Sequence, residues 1–358
     1  MIVLDRNTRS KDNLFFYIIG DNGSGKSTFL QKCTKNYAND FGKIIALPCG
    51  MMDRFDPRST GKVRYLGYRS KQNAVFLTTL NKSITLLILS LLKNGKKKLI
   101  ETILEDLHME LSFSPAATMW DKRTPLGRRA NEAQRTTAEG AIKRCEEVDW
   151  RGIAVHDADI LERCLSLDLR FFCKLGPKGK PDRYFPEDLS SGYVQKIRLL
   201  LTVAQEAEDN CLILIDEPEI SLHVTWQAEL PKLFRSTLSS LTGCVLIVAT
   251  HSPVIISNTT QELDFIYTIP DGETVTSQEI PSNIEELLFN RFHYLPLSSS
   301  IVPETCAKIL HSLTHETTTS VQARQELEKF YANDLTPRDK LFLEKALEII
   351  DIADAHDE

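Results

Sequence analysis

The sequence predicts an α/β fold with a mostly parallel central sheet, a helical insertion and a helical C-terminal region. Two short apolar runs, residues 211–215 and 244–249, are typical of strands buried on both faces of a parallel sheet. A third run, residues 14–19, leads into a glycine-rich loop followed by a helix-like segment, residues 28–36. A chain of 358 residues with 42% hydrophobic content can bury a core of one elaborated domain or two.

The glycine-rich loop reads GDNGSGKST and fits the pattern Gly-x4-Gly-Lys-Ser/Thr of a nucleotide phosphate-binding loop. Its glycines let backbone N–H groups point at phosphate oxygens, and the following helix N-terminus adds partial positive charge. Lys26 should reach the β- and γ-phosphates of ATP, and Ser27 should ligate Mg²⁺. A chance glycine-rich turn is the alternative, but strand, lysine and hydroxyl are all in place. The predicted nucleotide-binding residues of this loop are Gly20, Asp21, Asn22, Gly23, Ser24, Gly25, Lys26, Ser27 and Thr28.

Two adjacent acids, Asp216 and Glu217, follow the apolar run that begins at Cys211. A carboxylate at the carboxyl end of a buried strand lies beside the phosphate loop in this architecture. We expect Asp216 to hold Mg²⁺ through water and Glu217 to polarise the water that attacks the γ-phosphate.

A histidine, His251, lies two residues after the apolar run at residues 246–249. Its position predicts that it senses or stabilises the γ-phosphate. A histidine at a strand end is more often structural, but the two acids favour the functional interpretation. The predicted catalytic residues are Lys26, Glu217 and His251.

A second predicted anion site is the turn Ser190, Ser191 and Gly192, which opens the helix before the acidic strand. Serine hydroxyls and the free N–H groups of a helix start can bind an anion. An ordinary helix cap is the simpler interpretation of the turn alone. Its place between the insertion and the two acids favours the anion site.

The organisation of the chain follows from changes in composition along it. The predicted parts are an ATPase lobe with the phosphate loop (1–95), a helical insertion (96–170), a second ATPase lobe (171–270) and a helical acidic region suited to partner docking (271–358). Within the insertion, apolar residues recur at helical spacing around residues 99–107 and 160–165, and residues 112–140 are predicted to be loop-like. Alternatively, these helices belong to the core of the same domain.

Charge gives little support for a general nucleic-acid-binding surface. The net charge is −6, and residues 311–358 contain 5 basic and 11 acidic side chains, so 5 − 11 = −6 and the remainder is neutral. Local basic segments at residues 54–71, 96–98 and 122–129 fit solvated faces, or else a surface for nucleic acid or an acidic partner.

The cysteines and the N-terminus bear on localisation. The eight cysteines form no CxxC pair and several lie in apolar runs, so buried thiols in a reducing cytoplasm are expected. No apolar stretch is long enough to span a bilayer, and residues 1–6 lack a signal-peptide pattern. We therefore expect a cytoplasmic protein without a membrane partner.

The order of phosphate loop, LSSG, DEP and THSP motifs resembles ABC-type ATPases. The resemblance implies an ATPase head with Walker A, signature and Walker B motifs, in which the signature serine of one subunit covers the γ-phosphate bound by another. Ser190 and Gly192 would then act in trans; Tyr193 departs from the usual Gln or Glu. The stretch PEISLHVTWQ after Glu217 is similar to the SMC, RecF and OLD branch. Gln72 is the best candidate for the Q-loop metal ligand.

Weaker loop patterns at residues 46–55 and 65–69 resemble the compact ATPases of bacterial antiphage systems such as Septu, retron-associated systems and PARIS. This resemblance covers about residues 1–270.

The expected function is an ATP- and Mg²⁺-dependent sensor or regulator in such a defence complex. It would form homodimers or higher homo-oligomers and control a separate nuclease or toxin. One alternative is a DNA-repair or chromosome-associated ATPase that binds DNA directly. Another is a transporter energy subunit, against which the loop after Glu217 and the insertion both argue.

Overall fold

A computed structural model describes residues 12–20, 23–50, 53–58, 61–67, 79–120, 130–259, 264–269, 276–278, 301–315, 318–332, 335 and 337–357. The chain forms two compact units, Met1–Gln278 and Glu279–Glu358. The predicted insertion falls inside the first unit. The finer division of that unit into two ATPase lobes and an insertion stays a prediction.

The described strands, in chain order, are β1 (Leu14–Ile19), β2 (Lys43–Pro48), β3 (Val63–Tyr65), β4 (Met109–Trp120), β5 (Leu169–Pro177), β6 (Cys211–Asp216), β7 (Val245–Thr250), β8 (Asp264–Thr268) and β9 (Thr276–Gln278). Within the described residues, seven of them form one sheet in the order β3-β2-β6-β7-β1-β8-β9. All neighbouring pairs in this sheet are parallel except β8 and β9, which confirms the mostly parallel sheet.

The described α-helices are α1 (Lys26–Asn36), α2 (Leu80–Lys93), α3 (Lys97–Asp106), α4 (Glu132–Glu146), α5 (Val155–Leu165), α6 (Ser191–Glu206), α7 (Val224–Leu238), α8 (Pro253–Ser257), α9 (Ile301–Thr314), α10 (Ser320–Glu328) and α11 (Pro337–Asp357). Both β6 and β7 are buried along their whole length, as expected for central strands of a parallel sheet that is covered on both faces.

The sheet register brings the carboxyl ends of three strands together. Ile19 at the end of β1 pairs with Thr250 of β7, and Asp216 of β6 pairs with Ala249 of β7. The segments that follow these strands are the phosphate loop, Glu217 and His251. They therefore emerge at one edge of the sheet, where parallel α/β folds bind their ligands.

The predicted insertion contains a strand as well as helices. The prediction of a loop over residues 112–140 is wrong, because that range contains most of β4 and the first half of α4. β4 pairs in antiparallel fashion with β5, and the irregularity between Pro115 and Trp120 interrupts its register. The small and polar residues of β4 give it a weak local strand pattern. Its strand form depends on a partner distant in sequence, and such pairing overrides local propensity.

The second unit is helical in its described part, which confirms the helical C-terminal region. α9, α10 and α11 surround an apolar core that includes Val302, Leu327 and Leu343, each fully buried. Helices of this length gain most of their stability from such packing. The proposed role of this unit in partner docking stays a prediction.

All eight cysteines are free and buried, which agrees with the expectation of buried thiols. The sulfurs of Cys211 and Cys244 lie 3.7 Å apart. No helix in the described part of the chain has the length and apolarity that a membrane crossing needs.

Candidate functional site

The phosphate loop ends in two left-handed glycines. Gly23 has φ +84° and Gly25 has φ +94°, a backbone region in which any residue with a Cβ is strained. Gly25 is also the N-cap of α1, and no side chain caps this helix start. The loop therefore presents an uncapped helix N-terminus, which favours an anion. The predicted residues Asp21 and Asn22 lie outside the described residues.

The lysine of the loop is buried and already bonded. Lys26 is 4% exposed, and its Nζ donates to the carbonyl oxygen of Gly20 at 2.7 Å. The same Nζ lies 3.1 Å from Nδ1 of His251. The hydroxyl of Ser24 is buried without a partner in the structure. Lysine, hydroxyl and helix start together form a cradle of hydrogen-bond donors for phosphate oxygens.

His251 connects the lysine to the predicted general base. Its Nε2 lies 3.3 Å from Oε1 of Glu217. A protonated lysine can only donate, so Nδ1 of His251 accepts from Lys26. The proton of a neutral imidazole then resides on Nε2, which donates to Glu217. The structure thus brings together all three predicted catalytic residues.

Glu217 leaves its strand in a strained conformation. Its φ is +54°, in the left-handed region that non-glycine residues rarely adopt. Its backbone N–H still donates to the carbonyl oxygen of Ala249 at 2.9 Å. Strain of this kind costs roughly 1–3 kcal/mol and is concentrated at functional sites. The carboxylate remains partly exposed, as an acceptor for the proton of a water molecule must be.

Asp216 and Ser27, two of the predicted metal ligands, lie within hydrogen-bonding distance of each other. Burial raises the pKa of Asp216 to about 6, opposed by a hydrogen bond from Ser27 and reinforced by the nearby Glu217 and Asp53 carboxylates. One carboxylate oxygen of Asp216, Oδ1, is buried without a partner. Mg²⁺ prefers oxygen ligands and usually takes only one or two from the protein. Ser27 and Asp216 fit that requirement, and the bound ion would neutralise phosphate charge.

Gln72, the third predicted metal ligand, lies outside the described residues. Within the described ranges, no group of three or more His, Cys, Asp or Glu side chains is arranged to hold a metal ion. Asp53 is a further carboxylate near Asp216 that the sequence did not single out. It accepts a hydrogen bond from the Tyr65 hydroxyl at 2.9 Å, which fixes its position after β2.

The raised pKa of Asp216 predicts that Asp216→Asn stabilises the unliganded protein near neutral pH. Below the ordinary pKa of 3.8 the carboxyl is protonated whether folded or unfolded, so its burial costs nothing there. As pH rises through the folded pKa of about 6, stability of the parent protein is lost, by about 3 kcal/mol in total. Thermal unfolding of both proteins across this range should show an advantage of the variant that disappears near pH 4. A variant less stable than the parent at neutral pH would contradict the assignment, and the exposed Asp182→Asn is the control.

The predicted anion turn opens α6. Ser190 is the N-cap of this helix, but its side chain makes no capping hydrogen bond. Ser190 and Ser191 are exposed, whereas Gly192 is buried. The simpler interpretation as a side-chain cap therefore fails, and the two serines are the members of the turn that a second molecule can reach.

Two further residues contact the histidine segment: Glu219 in the loop after Glu217, and Gln227 in α7. Our predicted site residues include neither. Glu219 accepts the backbone N–H of His251 at 2.5 Å, and burial raises the pKa of its carboxyl. Gln227 accepts from the Ser252 hydroxyl at 2.6 Å and donates to the carbonyl oxygen of Leu222 at 2.9 Å. The available signal was a third acid directly after the Asp-Glu-Pro motif.

Residues 118–257 match a protein family described as "AAA domain, putative AbiEii toxin, Type IV TA system". The matched range contains the turn at Ser190, the acids Asp216 and Glu217, and His251. The matched range covers less than half of the chain, so the match shows similarity to this family over residues 118–257 alone. The phosphate loop precedes the matched range and is predicted from its own pattern and geometry. No curated protein matches the sequence.

Several solved structures are similar to this chain in fold. The protein cbiO1 from Clostridium perfringens, part of the ABC transporter complex cbiONQ, is 14% identical over 82% of each chain, with a TM-score of 0.32. A dimeric ATP-binding cassette in a post-hydrolysis state, bound to ADP and Pi, is 16% identical over 75% of this chain and 87% of that chain (TM-score 0.31). An SMC head domain from Thermotoga maritima is 14% identical over 30% and 40% (TM-score 0.25). At such identities the similarity concerns the fold alone.

Proposed function

We propose that this chain binds and hydrolyses ATP with Mg²⁺, and that ATP-dependent pairing of two copies lets it regulate a separate effector in an antiphage defence complex. The observation that carries the ATPase part is the contact chain from Lys26 through His251 to Glu217, at 3.1 Å and 3.3 Å. It links the group that should bind phosphate with the group that should activate water.

Each of the three residues in this series of contacts has a role in the proposed hydrolysis. Hydrolysis of ATP needs an acceptor for the proton of the attacking water, and Glu217 is the partly exposed carboxylate at the site. Charge that develops on the γ-phosphate needs fixed donors, which Lys26 and the helix N-terminus supply. His251 contacts both residues, so it can report the presence of the γ-phosphate to Glu217.

Pairing of two copies is supported by the turn at Ser190 and Ser191. Both serines are exposed at the start of a helix of sixteen residues, and no side chain caps it. A helix start of this kind favours an anion. The γ-phosphate held by a second copy is the anion that such a turn would cover.

The effector part of the proposal draws on the matched family. Its description names a toxin and a type IV TA system, which favours a role in a defence-type system over DNA repair. The effector itself would be a separate nuclease or toxin.

Ser190→Arg tests the pairing. In the Glu217→Gln background, ATP and Mg²⁺ should convert the protein to a pair, measured as molar mass by light scattering. The arginine should prevent this pairing, because its bulk and charge would occupy the space of the partner's nucleotide. In the parent background it should lower turnover roughly a hundredfold.

The matched control is Ser240→Arg. Ser240 is also exposed, but it follows α7 and precedes the amino end of β7, at the sheet edge opposite the site. It should leave pairing and turnover unchanged. If Ser190→Arg behaves like this control, the pairing model is wrong.

The effector is tested by capture from the native host with tagged Glu217→Gln protein. A nuclease or toxin at fixed stoichiometry, lost when Ser190→Arg is added, would support the regulatory role. Recovery of DNA or repair proteins without such a partner would instead favour the DNA-repair alternative.

A further inference from the structure

The start of α6 is packed too tightly for any residue but glycine at position 192. A Cβ placed on Gly192 would lie 2.3 Å from Cζ3 of Trp226 and 2.9 Å from the carbonyl oxygen of Ser221. Contacts under 3.0 Å require something to move. The indole of Trp226 and the loop after Glu217 therefore lie directly against the turn that carries the two exposed serines.

Trp226 is held in place by neighbours from α6 itself. Its ring centroid lies 4.4 Å from that of Tyr193. The ammonium of Lys196 lies 5.0 Å from the indole centroid and 5.8 Å from the Tyr193 ring. Aromatic pairs and cation–π contacts of this kind stabilise the position of the ring.

The lysine in this cluster is unusually buried. The side chain of Lys196 is 4% exposed, and its Nζ donates to Glu229 on α7 at 2.7 Å. A buried ammonium is tolerated only when it is paired. This pairing ties the second turns of α6 and α7 together, and the Trp226 ring contacts both Tyr193 and Lys196.

The backbone connects this cluster to the predicted catalytic strand. Trp226 lies in the first turn of α7, and its N–H donates to the carbonyl oxygen of His223 at 2.9 Å. The loop between Glu217 and α7 passes through Ser221, whose φ of +65° is also left-handed. A shift of this loop would therefore displace Gly192, because the two are in direct contact.

We propose that Trp226 is a positioning residue that holds the turn at Ser190, Ser191 and Gly192 in the geometry needed to cover the nucleotide of a second copy. The proposal rests on the proposed function, because it assumes that this turn acts across a pair. Trp226 itself touches neither nucleotide nor reacting atoms in this account. It acts through the helix start, and Tyr193 and Lys196 hold its ring.

The first test compares Trp226→Ala with Trp226→Phe. The alanine variant should raise the protein concentration for half-maximal turnover roughly ten- to a hundredfold, because small displacements of positioned groups cost that much. Turnover at saturating protein concentration should stay within about threefold of the parent, and affinity for a fluorescent ATP analogue at low protein concentration should be unchanged. Phenylalanine keeps an aromatic ring against Tyr193 and should restore most of the pairing.

A double-mutant cycle tests the contact itself. Gly192→Ala should weaken pairing because its methyl group meets the Trp226 ring. In the double variant, removal of the ring makes room for that methyl, so the combined loss should be clearly smaller than the product of the two single losses. Recovery should be partial, because the Ser221 carbonyl oxygen remains close.

The outcomes separate this inference from the proposed function. If Ser190→Arg abolishes pairing but Trp226→Ala pairs at the parental concentration, the positioning role is wrong and the pairing model stands. If Trp226→Ala lowers nucleotide affinity and saturating turnover together with pairing, its role is general stability, and the inference also fails. If Ser190→Arg has no effect on pairing or turnover, the proposed pairing of two copies is wrong, and the positioning role of Trp226 that rests on it is wrong as well.

Discussion

Replacement of Glu217 by glutamine is expected to lower ATP turnover by about 10²- to 10⁴-fold, because general-base catalysis contributes about that much. ATP binding should persist, since the phosphate-binding groups Lys26 and Ser27 are untouched. The glutamine amide oxygen can still accept from His251, so the local geometry should hold. Under the pairing model, this variant should also remain paired in the presence of ATP and Mg²⁺.

The measurement is phosphate release under saturating ATP, together with a separate titration of nucleotide binding. Glu208→Gln is the matched control, since Glu208 is an exposed carboxylate just before the amino end of β6. It should hydrolyse ATP at the parental rate. Parental turnover in Glu217→Gln would show that another group activates the water.

Replacement of Lys26 by alanine is expected to weaken ATP binding roughly a hundredfold, equivalent to about 3 kcal/mol for the loss of charge-assisted hydrogen bonds. In the structure the ammonium is held by the Gly20 carbonyl oxygen and by His251 at 2.7 Å and 3.1 Å. These contacts position it at the phosphate loop. Its loss removes the donor that should reach the β- and γ-phosphates, and His251 loses the contact that fixes its tautomer.

Titration with a fluorescent ATP analogue and with ADP would measure this effect. Lys35→Ala, an exposed lysine in the last turn of the same helix, is the control for changes in charge and helix content. It should bind ATP with parental affinity. Equal affinities of Lys26→Ala and the parent would place the phosphates elsewhere.

The central sheet and most of the site were readable because their signals are local. β6 and β7 are short runs that are apolar up to their last residue, and this pattern is typical of a parallel sheet buried on both faces. The phosphate loop is recognisable because left-handed backbone needs glycine at a set position of the pattern, here Gly25. In each case the residues that the structure requires are close together in the sequence, so the strand or the loop can be predicted from the sequence alone.

Other features depend on contacts between distant parts of the chain. The strand β4 was mistaken for a loop because its partner β5 lies far along the sequence, and its own small and polar residues carry a weak pattern. The contacts of Glu219, Gln227 and Trp226 were not predicted for the same reason, although the stretch that contains them carries a family resemblance. Each belongs to the segment that follows β6, and its role is visible only from the partner it contacts.

The sequence alone was sufficient to predict the α/β class, the phosphate loop, the acids at the end of β6 and the histidine after β7, because each is a local pattern. Only the folded structure shows that His251 bridges Lys26 and Glu217, that Asp216 is buried beside Ser27, and that Trp226 packs on Gly192. These relations arise when strand register and helix packing bring separate segments within a few ångströms. Distances of that kind are set by the whole core and not by any one stretch of chain.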